Sequence, residues 1–168
     1  MARVVLTVGM STWPFDRLVR AVAGLCTEYD VFAQIGPSAA PPPCPHAPFV
    51  PLAELVPLLR DADVVVTHAG NTVRLVQRMD KVPVAVAREA ARGEAANDHQ
   101  VTYLRREERC GRVVPVWDTG RLAAAVGGHQ AAQDRLLRER PLPPEPDPRR
   151  LRAIMDELCS RLVRDARR

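Results

Sequence analysis

At 168 residues with 46% apolar content, the chain suits one domain with a real core, and its 16 prolines cluster so that they mark boundaries. The net charge is +4, and it resides in residues 149–168, where seven Arg face Asp156, Glu157 and Asp165 while acids and bases balance elsewhere. That confinement, with 4% aromatics, argues against a nucleic-acid binder, which spreads basic residues over a folded face. No charged-then-apolar leader and no bilayer-length apolar run are present, so a cytoplasmic location is expected. Cys26, Cys44, Cys110 and Cys159 form no C-x-x-C pair; free thiols are expected, and neither a zinc site nor a disulfide framework is.

Arg3 to Gly9 reads as a first strand ending in Gly, where a βα turn would begin. Ser11 or Thr12 can cap the helix that follows, with Pro14 near its first turn, and Phe15, Leu18, Val19, Val22, Leu25 and Cys26 recur at helical spacing to about Glu28. Asp30 to Gly36 is a second strand. Ser38 to Pro48 is too proline-rich for regular structure and reads as an extended loop, with Phe49-Val50 as a short edge strand. A helix carrying Leu52, Leu55, Leu58 and Leu59 follows. After the central strand and helix come a strand at Val82 to Ala87, a polar loop at Arg88 to Ala96 and a helix opening at Asn97 to Gln100. Arg112 to Trp117 is the last short strand, Asp118 or Thr119 starts a helix to Ala125, and Gly127-Gly128 separates it from a polar helix ending near Glu139. This alternation implies an α/β, Rossmann-like parallel sheet with helices on both faces over residues 1–140. Residues 141–148 (PLPPEPDP) form a stiff linker. Residues 149–168 form an Arg-rich helix with an apolar stripe at Leu151, Ile154, Met155, Leu158, Cys159, Leu162 and Val163, to be covered by the sheet, by a partner or by a membrane surface, with a protein surface favoured over lipid because aromatics are absent.

The chemistry is expected around Asp63 to Arg74. Val64 to Val66 is a β-branched run suited to a strand buried on both faces. Gly70 permits a sharp turn or close approach to a ligand, and Asn71 or Thr72 can cap a helix bearing Val73, Val76 and Met79. Free N–H groups at that helix start suit an anion; a structural strand–turn–helix without ligand fits these residues equally. In such sheets ligands sit beyond the carboxyl ends of the strands, where Gly9 to Thr12, His68 to Thr72 and Arg88 to Gln100 supply N–H groups, hydroxyls, an imidazole, an Arg and carboxylates. A sugar nucleotide fits that set. A classical dinucleotide does not, because no G-x-G-x-x-G follows the first strand.

Three stretches, TVGMSTWPFDRLV (Thr7 to Val19), VVVTHAG (Val64 to Gly70) and RGEAANDHQ (Arg92 to Gln100), resemble the short glycosyltransferases of family 28 C-terminal type. These include the catalytic half of the two-subunit N-acetylglucosaminyltransferase of dolichol-linked oligosaccharide assembly and bacterial exopolysaccharide transferase subunits. The resemblance spans about Arg3 to Val126 and implies the donor-binding half of a GT-B enzyme. It implies donor contacts from Gly9, Ser11 and Thr12 in the first loop, His68, Ala69, Gly70, Asn71 and Thr72 at the HAG turn, and Arg88 and Glu94 in the later loop. Asp98, His99 and Gln100 match a D-H-Q element, with Gln100 on sugar hydroxyls.

The chain departs from that family at two places: Thr72 stands for a second Gly, and Val76 for a Glu that holds the nucleotide ribose. The expected function is therefore the donor-binding subunit of a metal-independent, inverting glycosyltransferase using a nucleotide-diphosphate sugar, UDP-linked by resemblance. The alternative is a catalytically inactive nucleotide-binding or interaction module that kept the fold. No cofactor or metal is expected. A separate acceptor-binding subunit, membrane-anchored if the acceptor is lipid-linked, would bring the general base and recruit this chain to the membrane; self-association stays open.

Overall fold

The computed structural model describes residues 1–139 and 148–165. Six strands make one all-parallel sheet: β1 (Arg3–Thr7), β2 (Asp30–Gln34), β3 (His46–Ala47), β4 (Val64–His68), β5 (Val84–Val86) and β6 (Val114–Pro115). Their spatial order is β3-β2-β1-β4-β5-β6, the Rossmann order. The chain builds outward from β1 to one edge and then returns to lay β4 on the other side of β1, pairing Val4 with Val64 and Thr7 with Thr67. The cleft opens beyond the carboxyl ends of these two strands.

Alternation along the strands divides the core. Val4, Leu6, Val64, Val66, Val84 and Val86 pack with Phe15, Leu18, Val19 and Val22 around α1 (Asp16–Ala23), and with Leu122 and Val126 of α5 (Leu122–Gly127). On the opposite face Val5 and Val65 meet Leu55 and Leu59 of α2 (Leu52–Asp61) and Val76 of α3 (Asn71–Gln77). Ala85 there packs with Val73 and with Leu104 of α4 (His99–Arg109). Each fully buried side chain of this size favours folding by about 1.5–3 kcal/mol. The α/β Rossmann-like sheet with helices on both faces is thus present, and α6 (His129–Glu139) lies beside β6.

Several boundaries differ from the sequence expectation. The first helix ends at Ala23, five residues early, because Gly24 interrupts it and the chain turns through Tyr29, whose N–H reaches the Leu25 carbonyl. The edge strand is His46–Ala47, upstream of Phe49-Val50. It tolerates flanking prolines because those two positions need only accept: Ala33 and Gly36 donate to the carbonyls of Pro45 and Pro48, while Ile35 donates to that of Ala47. Asn71 and Thr72 do not cap α3; Gly70 holds the N-cap position, and they are its first two helical residues. The fold also sets Cys26 and Cys44 side by side, still as free thiols, and burial followed by the neighbouring thiol pushes Cys44 up to about 12.

The terminal helix, α7, spans Pro148–Asp165 and so takes in Pro148 of the expected linker, while residues 141–147 of that linker and 166–168 of the expected helix lie outside the described residues. Of its expected stripe, Ile154, Met155 and Leu158 are 47%, 52% and 48% exposed. No helix among the described residues is long and apolar enough to cross a membrane. Because α7 adds no described side chain to the core, a chain ending at Glu139 should melt within about 2 °C of the whole chain, as followed by circular dichroism. A larger drop would mean that the tail supports the fold.

Candidate functional site

Three loops meet at the switch point: the one after β1, the β4–α3 turn, and the one after β5. At their centre is His68. Its imidazole lies between two glycines so closely that a Cβ on Gly70 would come 2.2 Å from Nε2, and one on Gly9 would come 2.5 Å from Cε1. Gly9 also takes a left-handed φ of 76°, which L side chains resist. At Gly70 the backbone is extended, so what demands glycine there is the ring of His68 rather than a sharp turn.

The neighbours of His68 fix its proton. Thr67 Oγ1 donates to the Thr7 carbonyl at 3.0 Å, leaving its oxygen to accept from Nδ1 at 3.4 Å. This network assigns the proton to Nδ1 and leaves Nε2 as an acceptor. Burial, then the charge of Arg88, lowers the His68 pKa from 6.5 to about 4, so the ring is neutral at neutral pH.

Two chambers flank this ring, sharing His68 and Asn71. One, of about 510 Å³, is walled by Val50, Leu52, Leu55 and Leu75. Its floor holds Thr7, whose hydroxyl donates to Gln34 Oε1 at 2.6 Å. The other, of about 400 Å³, is polar and lined by Gly70, Asn71, Arg74, His99, Gln100 and Tyr103 among others. Among the described residues no carboxylate lines the polar chamber. Glu107, fully buried behind it, accepts from Arg74 Nη2 and Gln77 Nε2, each at 3.1 Å. The Tyr103 hydroxyl lies beside this pair, and burial, then the Glu107 charge, raises its pKa.

The expected site residues therefore separate into two groups. Gly9, His68, Ala69, Gly70, Asn71, Thr72, His99 and Gln100 line one or both chambers, although Ala69 is 1% exposed and packs mainly with Val73 and Leu104. The others hold loops. Arg88 is 1% exposed, with Nη1 donating to the carbonyls of Trp13, Pro14 and Glu94 and Nη2 to that of Val8. Its guanidinium also lies 4.6 Å from the Phe15 ring centroid. Burial lowers its pKa to about 10, against the opposing pull of Glu94, and it stays charged. Glu94 is held by Arg17 through two bonds of 3.0 and 2.9 Å and by the Glu89 N–H. Asp98 occupies the N-cap position of α4, yet its carboxylate accepts from Ala90 N–H at 2.8 Å. Ser11 accepts from the Trp13 N–H, and Thr12 is exposed.

Arg17, Arg74, Tyr103 and Glu107 are contributions the sequence reading did not select. A signal existed for two of them. Glu107 sits three residues beyond Leu104 on the core side of its helix, and Arg74 sits one turn beyond Gly70. Among the described residues no three His, Cys, Asp or Glu side chains gather as a metal site would require. Compared with known proteins, the chain matches no family model and no curated sequence.

Two consequences can be measured. Arg88→Met strips donors from four carbonyls, two of them in buried bonds, and should cost at least about 3 kcal/mol in urea unfolding; a smaller loss would mean that the loops hold without it. His68 makes stability depend on acid. The unfolded chain takes up its proton near pH 6.5 and the folded chain only near 4, so stability falls as pH drops through that window. His129, also lowered by burial, acts in the same direction. His68→Gln should remove up to about 3 kcal/mol of that pH dependence, read from unfolding midpoints between pH 7 and 4. An unchanged slope would place the titration elsewhere.

Proposed function

We propose that this chain is the donor-binding subunit of a metal-independent, inverting glycosyltransferase that uses a nucleotide-diphosphate sugar and works with a separate acceptor-binding subunit. The observation that carries this reading is the pair of chambers meeting at His68, on the topological switch point of a Rossmann-order sheet. A nucleotide sugar has an apolar flat base, a charged middle and a hydroxyl-bearing end. The leucine-walled chamber suits the base, with the Asn71 amide available to its edge. The diphosphate passes over Gly70, whose lack of a side chain leaves the β4–α3 turn open. The sugar enters the polar chamber toward Gln100.

Within this reading the domain corresponds to the C-terminal half of a GT-B enzyme. His68 serves the donor as a neutral acceptor through Nε2. A base with a pKa of about 4 is poorly matched to deprotonating an acceptor hydroxyl at neutral pH. The general base is therefore assigned to the partner. The exposed apolar stripe of α7 supplies a surface for that partner, which would recruit this cytoplasmic chain to a membrane if its acceptor is lipid-linked. One observation favours the inactive nucleotide-binding or interaction module: Val76 is fully buried against Val5 and Val65, so the position the family gives to a ribose carboxylate faces the core here.

Calorimetric titration with UDP, GDP, TDP and UDP-sugars should show one preferred nucleotide. Gly70→Asp should abolish its binding by driving a side chain into His68 and a carboxylate against the phosphates. Flat titrations with every nucleotide, with and without the partner, would favour the interaction module.

A further inference from the structure

Arg74 is the cationic side chain of the polar chamber, and its setting is unusual for a group meant only to stay in solvent. One guanidinium nitrogen, Nη2, is tied to the buried Glu107 carboxylate at 3.1 Å. Glu107 is fixed in turn by Gln77 Nε2, which also donates to the Arg112 carbonyl at 3.0 Å. The Arg74 side chain nevertheless remains 38% exposed while Glu107 is fully enclosed, so an anchored guanidinium keeps a free edge on the chamber. Anchoring lowers the entropy lost when such a group binds an anion. The chamber presents donors: Arg74 and the Asn71 and Gln100 amides. Among the described residues no carboxylate is there to receive the hydroxyls of a neutral hexose.

Position along the ligand decides which anion Arg74 meets. The anchor reaches across to α4, and Arg74 lines the polar chamber and not the leucine-walled one. That end receives the sugar if the base lies among the leucines. We infer that the donor carries an acidic sugar of the uronic-acid class, whose carboxylate is read by Arg74 with Glu107 as the positioning residue. A planar guanidinium matches a carboxylate through paired N–H bonds, and a lysine ammonium does not. This inference rests on the nucleotide-sugar reading of the two chambers.

The test is calorimetry of the full chain with UDP, UDP-glucose and UDP-glucuronate. UDP-glucuronate should bind at least about tenfold tighter than UDP-glucose. Arg74→Gln, which loses the charge but can still bond to Glu107, should erase that difference and leave UDP affinity unchanged. Arg74→Lys should restore only part of it, and circular dichroism checks that both variants fold. UDP binding with no preference for the uronate overturns the inference alone. So does an equal loss of UDP affinity in Arg74→Gln, which would assign the guanidinium to the diphosphate. Absence of binding by all three ligands removes the nucleotide reading and this inference together.

Discussion

The guanidinium of Arg88 is the interaction on which the cleft depends. It is a charge placed where almost no water reaches, and it persists because four carbonyls and an aromatic face surround it. Those carbonyls come from Val8, Trp13 and Pro14 on one side and Glu94 on the other, so a single side chain joins the loop after β1 to the loop after β5. Arg17 repeats the join from outside by clasping Glu94 and the Ala87 carbonyl. At the β4–α3 turn the His68 ring lies against Gly9 of the first of these loops.

Electrostatics and close packing then reinforce each other. Arg88 helps to hold His68 neutral, and a neutral ring fits between Gly9 and Gly70 without needing a counterion. The neutral ring offers an acceptor to the cleft, whereas the cation of the polar chamber is Arg74, held from behind by Glu107. The site therefore divides its work: a buried arginine builds the walls, a neutral imidazole separates the chambers, and a second arginine faces the polar chamber. That division explains why both glycines lack a replaceable hydrogen, as a methyl at either would collide with the imidazole.

The sheet was legible in the sequence because burial on both faces leaves a plain record. Runs such as Val64-Val65-Val66 and Val84-Ala85-Val86, each bounded by polar or turn residues, leave few other places for those side chains to go. The helical stripes of α1 and α2 and the clustering of prolines into a loop and a terminal segment were legible for the same reason. Boundaries were less so. The edge strand moved to His46–Ala47 because pairing there depends on which carbonyls face β2, a matter of register that composition does not carry.

What the sequence by itself determined is the layer architecture, the position of the cleft and the involvement of the Gly9, His68–Gly70 and Gln100 segments, since periodicity and glycine placement are local properties. What only the tertiary structure decided is the role of each charge. Arg88 and Glu94 look like ligand-binding groups in a linear reading, yet folding brings Arg88 to Val8, 80 residues away, and Glu94 to Arg17, 77 residues away. Arg74 and Glu107, unremarkable along the chain, meet across 33 residues at the chamber wall. A charge is committed to structure or left for a ligand according to which groups surround it in space, and those groups come from distant parts of the chain.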